Sequence, residues 1–193
     1  FLPAKHIEHG QDDAVCALTN HSAGEKAVKD ALGDGVAYVD WKRPGFELSK
    51  LVSKLKDSEA VVLAHHGLIV WDDDWDACFE KNGLYIERAE KYLDSLSQRP
   101  VSKFDHSDIP DSQLEDILLQ LRVSLGKKQL LRVEPRLKEI AQRSDLKKVL
   151  DGGTSSADHM LRIRPKSALI NIEDIDGSIN AYRNEYQSYF EAN

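Results

Sequence analysis

The sequence predicts a mixed α/β or α+β domain, and three observations carry that expectation. Short apolar runs at Val36–Val39, Ala60–Ala64 and Leu68–Trp71 alternate with stretches of helical periodicity. Glycine and proline mark the junctions between them. No apolar run approaches the ~20 residues needed to span a bilayer, so membrane insertion is excluded.

The elements follow in order. Ala14–Thr19 (AVCALT) reads as a strand, and Ser22-x-x-Glu25 supplies a capping box for a helix to about Leu32, stopped by Gly33 and Gly35. Val36–Val39 is a short strand and Pro44-Gly45 a turn; Phe46, Leu48, Leu51, Val52 and Leu55 then fall at helical spacing. Ala60–Ala64 is the clearest buried strand. It runs into His65-His66-Gly67, after which Leu68–Trp71 stays extended and Asp72–Asp74 can cap a long helix ending near Ser97. A polar, proline-containing stretch divides the chain into 1–97, a linker at 98–110 and a C-terminal extension at 111–193. In that extension the pattern predicts a helix over 112–125, a strand at 129–133 and a helix from after Pro135 to about Leu150. A Gly/Ser-rich loop at 151–156, a strand near 168–172 and a terminal helix from Ser178 complete it.

Composition narrows the function classes. With 193 residues, 41% apolar and 31% charged, the chain has enough apolar material for a core without disulfide staples. Cys16 and Cys78 each lie in an apolar stretch, as core thiols in a reducing compartment do, and the cytoplasm is the expected location. A net charge of −7 without clustered Lys, Arg and aromatics leaves no footprint for nucleic acid. A small anionic substrate is still compatible, because a local site need not follow net charge. No charged-then-apolar leader opens the sequence, which reads as a piece of something longer.

The seven histidines are the informative set, because three fall where strands are expected to end. If Lys5–Gln11 is extended, His9 and Gln11 share one face and His6 takes the other. His65 and His66 are split likewise, and Gly67 permits a close backbone approach at the strand end. Spacing alone favours surface or hydrogen-bonded core histidines, since the separated pattern matches no compact zinc motif.

The strings PAKHIEHGQDDAV, RPGFELSKLV, VVLAHHGLIVWDDDWDACFE and IERAEKYL, with Ser156-Ala157-Asp158-His159-Met160-Leu161-Arg162 and the terminal AYRNEYQSYFEAN, resemble the class II aldolase/adducin family. They are most similar to the aldolase portion of bifunctional rhamnulose-1-phosphate aldolase/short-chain dehydrogenase proteins. That resemblance implies a three-layer αβα domain with a central mixed sheet, truncated at the N-terminus, and a small C-terminal α/β extension. It implies an aldehyde-lyase that cleaves a ketose 1-phosphate of the rhamnulose-1-phosphate type to dihydroxyacetone phosphate and lactaldehyde, with Zn2+ as cofactor. A small phosphorylated sugar, a homo-oligomer and a downstream dehydrogenase domain are the implied partners.

The resemblance carries metal-ligand roles to His9 and His66, with Gln11 at the remaining ligand position. Gln11 stands where the family has a second histidine, and its amide oxygen is a poor zinc ligand beside imidazole. The family's acid/base glutamate would lie before Phe1, so the isolated chain is expected to be inactive, since proton transfer contributes typically ~10²–10⁴-fold. Glu8 or Asp12 would have to serve if the chain did turn over. The alternative reading is a non-catalytic, adducin-like assembly module that has lost a metal ligand.

Other residues carry structural readings. His6 and His65 read as supporting or exposed rather than ligating, although a bend at Pro3 would let His6 substitute. His21 and His106 read as solvated, and His159 as belonging either to a site or to a structural loop. Asp72–Asp74 reads as a helix cap rather than a metal cluster. Ser22 reads as a cap before a phosphate cradle, and Trp41, Trp71 and Trp75 as core or interface. Gly33-Asp-Gly35 lacks the third glycine and the preceding strand of a dinucleotide fingerprint, so no NAD binding is expected of this chain.

Overall fold

The computed structural model describes residues 2–96, 109–127 and 135–192. They fall into two compact units, 1–98 with 154–165, and 99–153 with 166–193.

In the first unit, β1 (His6–Gly10), β2 (Val36–Val39), β3 (Ala60–Leu63) and β4 (Gly67–Asp72) form one sheet in the order β1-β4-β3-β2. β2 and β3 run parallel, with Val36 opposite Ala60. Parallel neighbours need a crossover, and α3 (Phe46–Ser53) supplies it. β3 turns back into β4, with Leu63 opposite Gly67, and β1 pairs antiparallel on the far side of β4, with His9 opposite Ile69. The sheet is therefore mixed, as expected.

Both faces are covered. On one, Leu48 and Val52 of α3 pack against Val39, Val61, Leu63 and Trp71. On the other lie α1 (Asp13–Thr19), α2 (Gly24–Leu32) and α4 (Trp75–Ser95), whose Val15, Leu18, Val28, Leu32, Cys78 and Tyr85 meet Val36, Ala60, Val62, Leu68 and Val70. The result is a sheet between helical layers. Tyr85 is 2% exposed and donates its hydroxyl to Glu59 Oε2 at 2.8 Å. Burial first, and then the bond to Glu59 and its charge, push the Tyr85 hydroxyl from the ordinary 10.0 up to about 12. A raised value means that the folded state holds this proton more tightly. Its contribution is whole below about pH 10 and is lost as pH climbs to about 12. Tyr85→Phe should flatten the fall of melting temperature across that window; an unchanged slope would remove Tyr85 as its cause.

Several sequence expectations are corrected. Ala14–Thr19 is not a strand: Val15, Cys16, Leu18 and Thr19 are buried at helical spacing, and a short apolar run alone does not separate the two states. The capping box at Ser22 does not form; α2 begins at Gly24, and the Ala23 amide donates to His21 Nδ1 at 3.1 Å. Of the three tryptophans read as core or interface, Trp71 is core, and Trp41 and Trp75 are 60% and 64% exposed, which excludes the core for them and leaves the interface reading as it stood. The expected Asp72–Asp74 cap does form, since Asp74 accepts from the Ala77 amide at 2.9 Å.

The second unit holds α5 (Asp111–Leu125), α6 (Pro135–Ala141), α7 (Leu146–Asp151) and α9 (Ile175–Ala192), with α5 against α9. The single helix expected over 136–150 breaks at 142–145, where the Arg143 guanidinium grips Asp145 through two bonds of 2.9 Å. The strand expected at 168–172 is irregular chain, so the described part of the extension is helical rather than α/β. The expected strand at 129–133 and most of the linker lie outside the described residues. Among the described residues, no helix is long and apolar enough to cross a membrane.

Candidate metal centre

Two strand ends bring His9 and His66 together. β4 lies between β1 and β3, so the hairpin turn after β3 delivers position 66 alongside the C-terminal part of β1. The two imidazoles meet edge to face, with centroids 4.9 Å apart. They line a cavity of about 350 Å³ on the α3 side of the sheet. Its wall is apolar, formed by Leu48, Val52, Leu63 and Ile69, with Ser49 and Ser53 as polar exceptions.

The ring of His9 is oriented. Its Nδ1 lies 2.9 Å from the Leu68 carbonyl oxygen. A carbonyl only accepts, so Nδ1 carries a proton, and in the neutral ring this leaves the lone pair on Nε2, the tautomer and support that a metal-ligating histidine needs. Two neighbouring imidazoles, one so fixed, are part of the three-ligand set that a catalytic zinc site uses. Among the described residues there is no group of three or more His, Cys, Asp and Glu placed to hold a metal. Gln11 is half-buried, one residue past the end of β1, and is not among the residues that line the cavity.

The remaining candidates lie elsewhere. Glu8 points to the opposite face from His9 and accepts from Asn82 Nδ2 of α4 at 3.0 Å. Asp12 sits at the start of α1, where its buried Oδ2 has no hydrogen-bond partner among the described residues. His6 stacks edge-on against Trp75, at 5.8 Å. His65 bonds Asn20 Oδ1 through Nδ1 at 2.6 Å, outside the cavity. His159 belongs to the short α8 (Ala157–Arg162), whose first turn is capped by Ser156. His106 is outside the described residues. Burial, with the charges of Asp13 and Asp12 behind it, pushes the Cys16 thiol up to about 11, so it is a protonated core thiol and not a nucleophile.

Sequence reasoning misses the contribution of α3 to the cavity wall. Pro44 and Gly45, which the sequence alone presents as a turn and a point of family resemblance, also line the cavity, just before α3.

Known proteins place these observations in a family. The Class II Aldolase and Adducin N-terminal domain matches residues 2–93, and the Aldolase class II, second domain, matches residues 114–193. The uncharacterized oxidoreductase YuxG of Bacillus subtilis (strain 168) is 25% identical over 218 residues, a match that takes in 100% of this chain and 32% of that protein. The chain thus spans about a third of that relative's length. The N-terminal class II aldolase domain of a conserved protein from Thermoplasma acidophilum is 29% identical, with a TM-score of 0.45 over 48% of this chain and 44% of that one. YgbL from Klebsiella pneumoniae is 21% identical, with a TM-score of 0.38 over 50% of this chain and 52% of its own. The two domain matches leave only residue 1 and residues 94–113 outside them, and the chain belongs to the class II aldolase and adducin family.

Proposed function

We propose that this chain is the aldolase part of a longer aldolase–dehydrogenase protein, and that it cleaves a ketose 1-phosphate of the rhamnulose-1-phosphate type with zinc held by His9 and His66. The observation that carries the reading is the pair of imidazoles 4.9 Å apart at the cavity, with His9 Nδ1 tied to the Leu68 carbonyl. The match to an oxidoreductase more than three times as long supports the fused dehydrogenase. A cytoplasmic homo-oligomer is part of the same reading.

When bound, zinc supplies Lewis-acid chemistry toward neighbouring carbonyl and hydroxyl oxygens. His9 presents Nε2 to the cavity side because Leu68 fixes its other nitrogen. Leu48, Val52, Leu63 and Ile69 exclude water from that side of the substrate, which strengthens each polar contact made there. No carboxylate lines the cavity among the described residues, so the acid/base group implied by the family resemblance has to approach from elsewhere.

Gln11 decides between this reading and the assembly module. The test is zinc affinity, measured by competition with a chromophoric chelator, together with release of dihydroxyacetone phosphate from rhamnulose 1-phosphate. Wild type should bind zinc, and Gln11→His should bind it about 10–100-fold more tightly, on the scale that changes of metal-site support produce. Equal affinity in the two proteins means that position 11 does not face the metal. No zinc binding by either protein makes the assembly module the better account.

A further inference from the structure

The turn that delivers His66 is itself held in an unusual state. His65 has φ +56, in the left-handed region that a non-glycine residue enters only when its surroundings impose it. What imposes it comes from α1. Thr19, 1% exposed, accepts the His65 amide on Oγ1 at 3.1 Å and donates the same hydroxyl to the Cys16 carbonyl at 3.0 Å. Cys16 Sγ lies 3.9 Å from the His66 carbonyl oxygen, so the same turn of α1 meets both residues.

We propose that Thr19 is a positioning residue for the metal centre: its hydroxyl holds the backbone of His65 left-handed and so aims the His66 ring at His9. The proposal rests on the zinc reading for its function and on the turn geometry for its mechanism. The hydroxyl is a donor and an acceptor at once, and both roles are used in a buried setting. Valine has the same shape and neither role, so it leaves the His65 amide unsatisfied and removes the restraint on φ. Serine keeps both.

Five proteins test this: wild type, Thr19→Val, Thr19→Ser, His65→Gly, and Thr19→Val in the His65→Gly background. Cobalt(II), titrated in place of zinc, reports affinity through its visible spectrum. Thr19→Val should weaken cobalt binding by about 10–100-fold, as loss of a supporting contact does, while Thr19→Ser stays within about 3-fold of wild type. With glycine at 65 the left-handed turn needs no holding, so the same Thr19→Val change should cost much less. That background also keeps the measurement available if Thr19→Val alone does not fold. Wild-type affinity in Thr19→Val, or an equal loss in both backgrounds, overturns the proposal. If wild type binds no cobalt, the zinc reading fails and metal-free NMR decides for Thr19 on its own. Ring-to-ring contacts between His9 and His66 that are lost in Thr19→Val and kept in Thr19→Ser support the positioning role; contacts kept in both overturn it.

Discussion

Replacing Gly67 by alanine is expected to destabilise the sheet-containing unit by about 3 kcal/mol or more, the largest loss of any single methyl addition in this turn. Two costs combine. Gly67 has φ +153, which side-chain-bearing residues rarely adopt. A Cβ there would also sit 2.1 Å from the Gly10 carbonyl oxygen and 3.2 Å from the Gln11 Cα. Both neighbours are backbone, so neither can rotate away, and β1 would have to part from β4 at Gly10–Leu68. Urea unfolding followed by circular dichroism measures the loss. A midpoint unchanged from wild type would show that β1 yields without cost, and the close crossing would lose its structural meaning.

The second large effect is on metal binding. If the proposed zinc site is correct, His66→Ala should lower zinc affinity by about 100-fold or more, because it would remove a proposed direct ligand and even supporting contacts are worth ~10–100-fold. His9→Ala should do the same. His6→Ala is the matched control: its ring stacks on Trp75, on the other side of β1, so zinc affinity should not move. Chelator competition on the three variants reads this directly. Loss in His6→Ala equal to that in His66→Ala would point to a metal site on the other face.

Much of the fold is legible in the amino-acid sequence, and the reasons differ from element to element. β3 can be read because Ala60–Leu63 is buried at every position, and a continuous apolar run says so. α4 is marked by its own chemistry, a carboxylate that accepts the Ala77 amide at the start and a long amphipathic run after it. α1 escapes such a reading because AVCALT is as apolar as a strand, and only its packing against α2 and α4 reveals which residues are buried. The expected strand at 168–172 fails for want of a partner: Leu169 and Ile172 are 53% and 43% exposed, with no neighbouring ladder among the described residues to pair them. At the site, resemblance singles out His9 and His66, but spacing cannot say that a hairpin and an edge strand bring positions 57 residues apart to 4.9 Å. Thr19 carries no sequence signal at all, since a buried hydroxyl acquires its partners only when the chain folds.

The return of residues 154–165 to the first unit bears on how such a protein is made and remade. Asn20 Nδ2 donates to the Ser155 carbonyl at 2.9 Å across 135 positions of sequence. The cost of closing a loop rises with the logarithm of its length, and a ribosome emits residue 20 long before residue 155. The sheet-forming residues are therefore synthesised well before the segment that packs with them, which lies inside the 114–193 second-domain match. A recombination point near residue 98 would transplant the sheet without that segment. Exchange of the whole first unit between proteins would carry both stretches together.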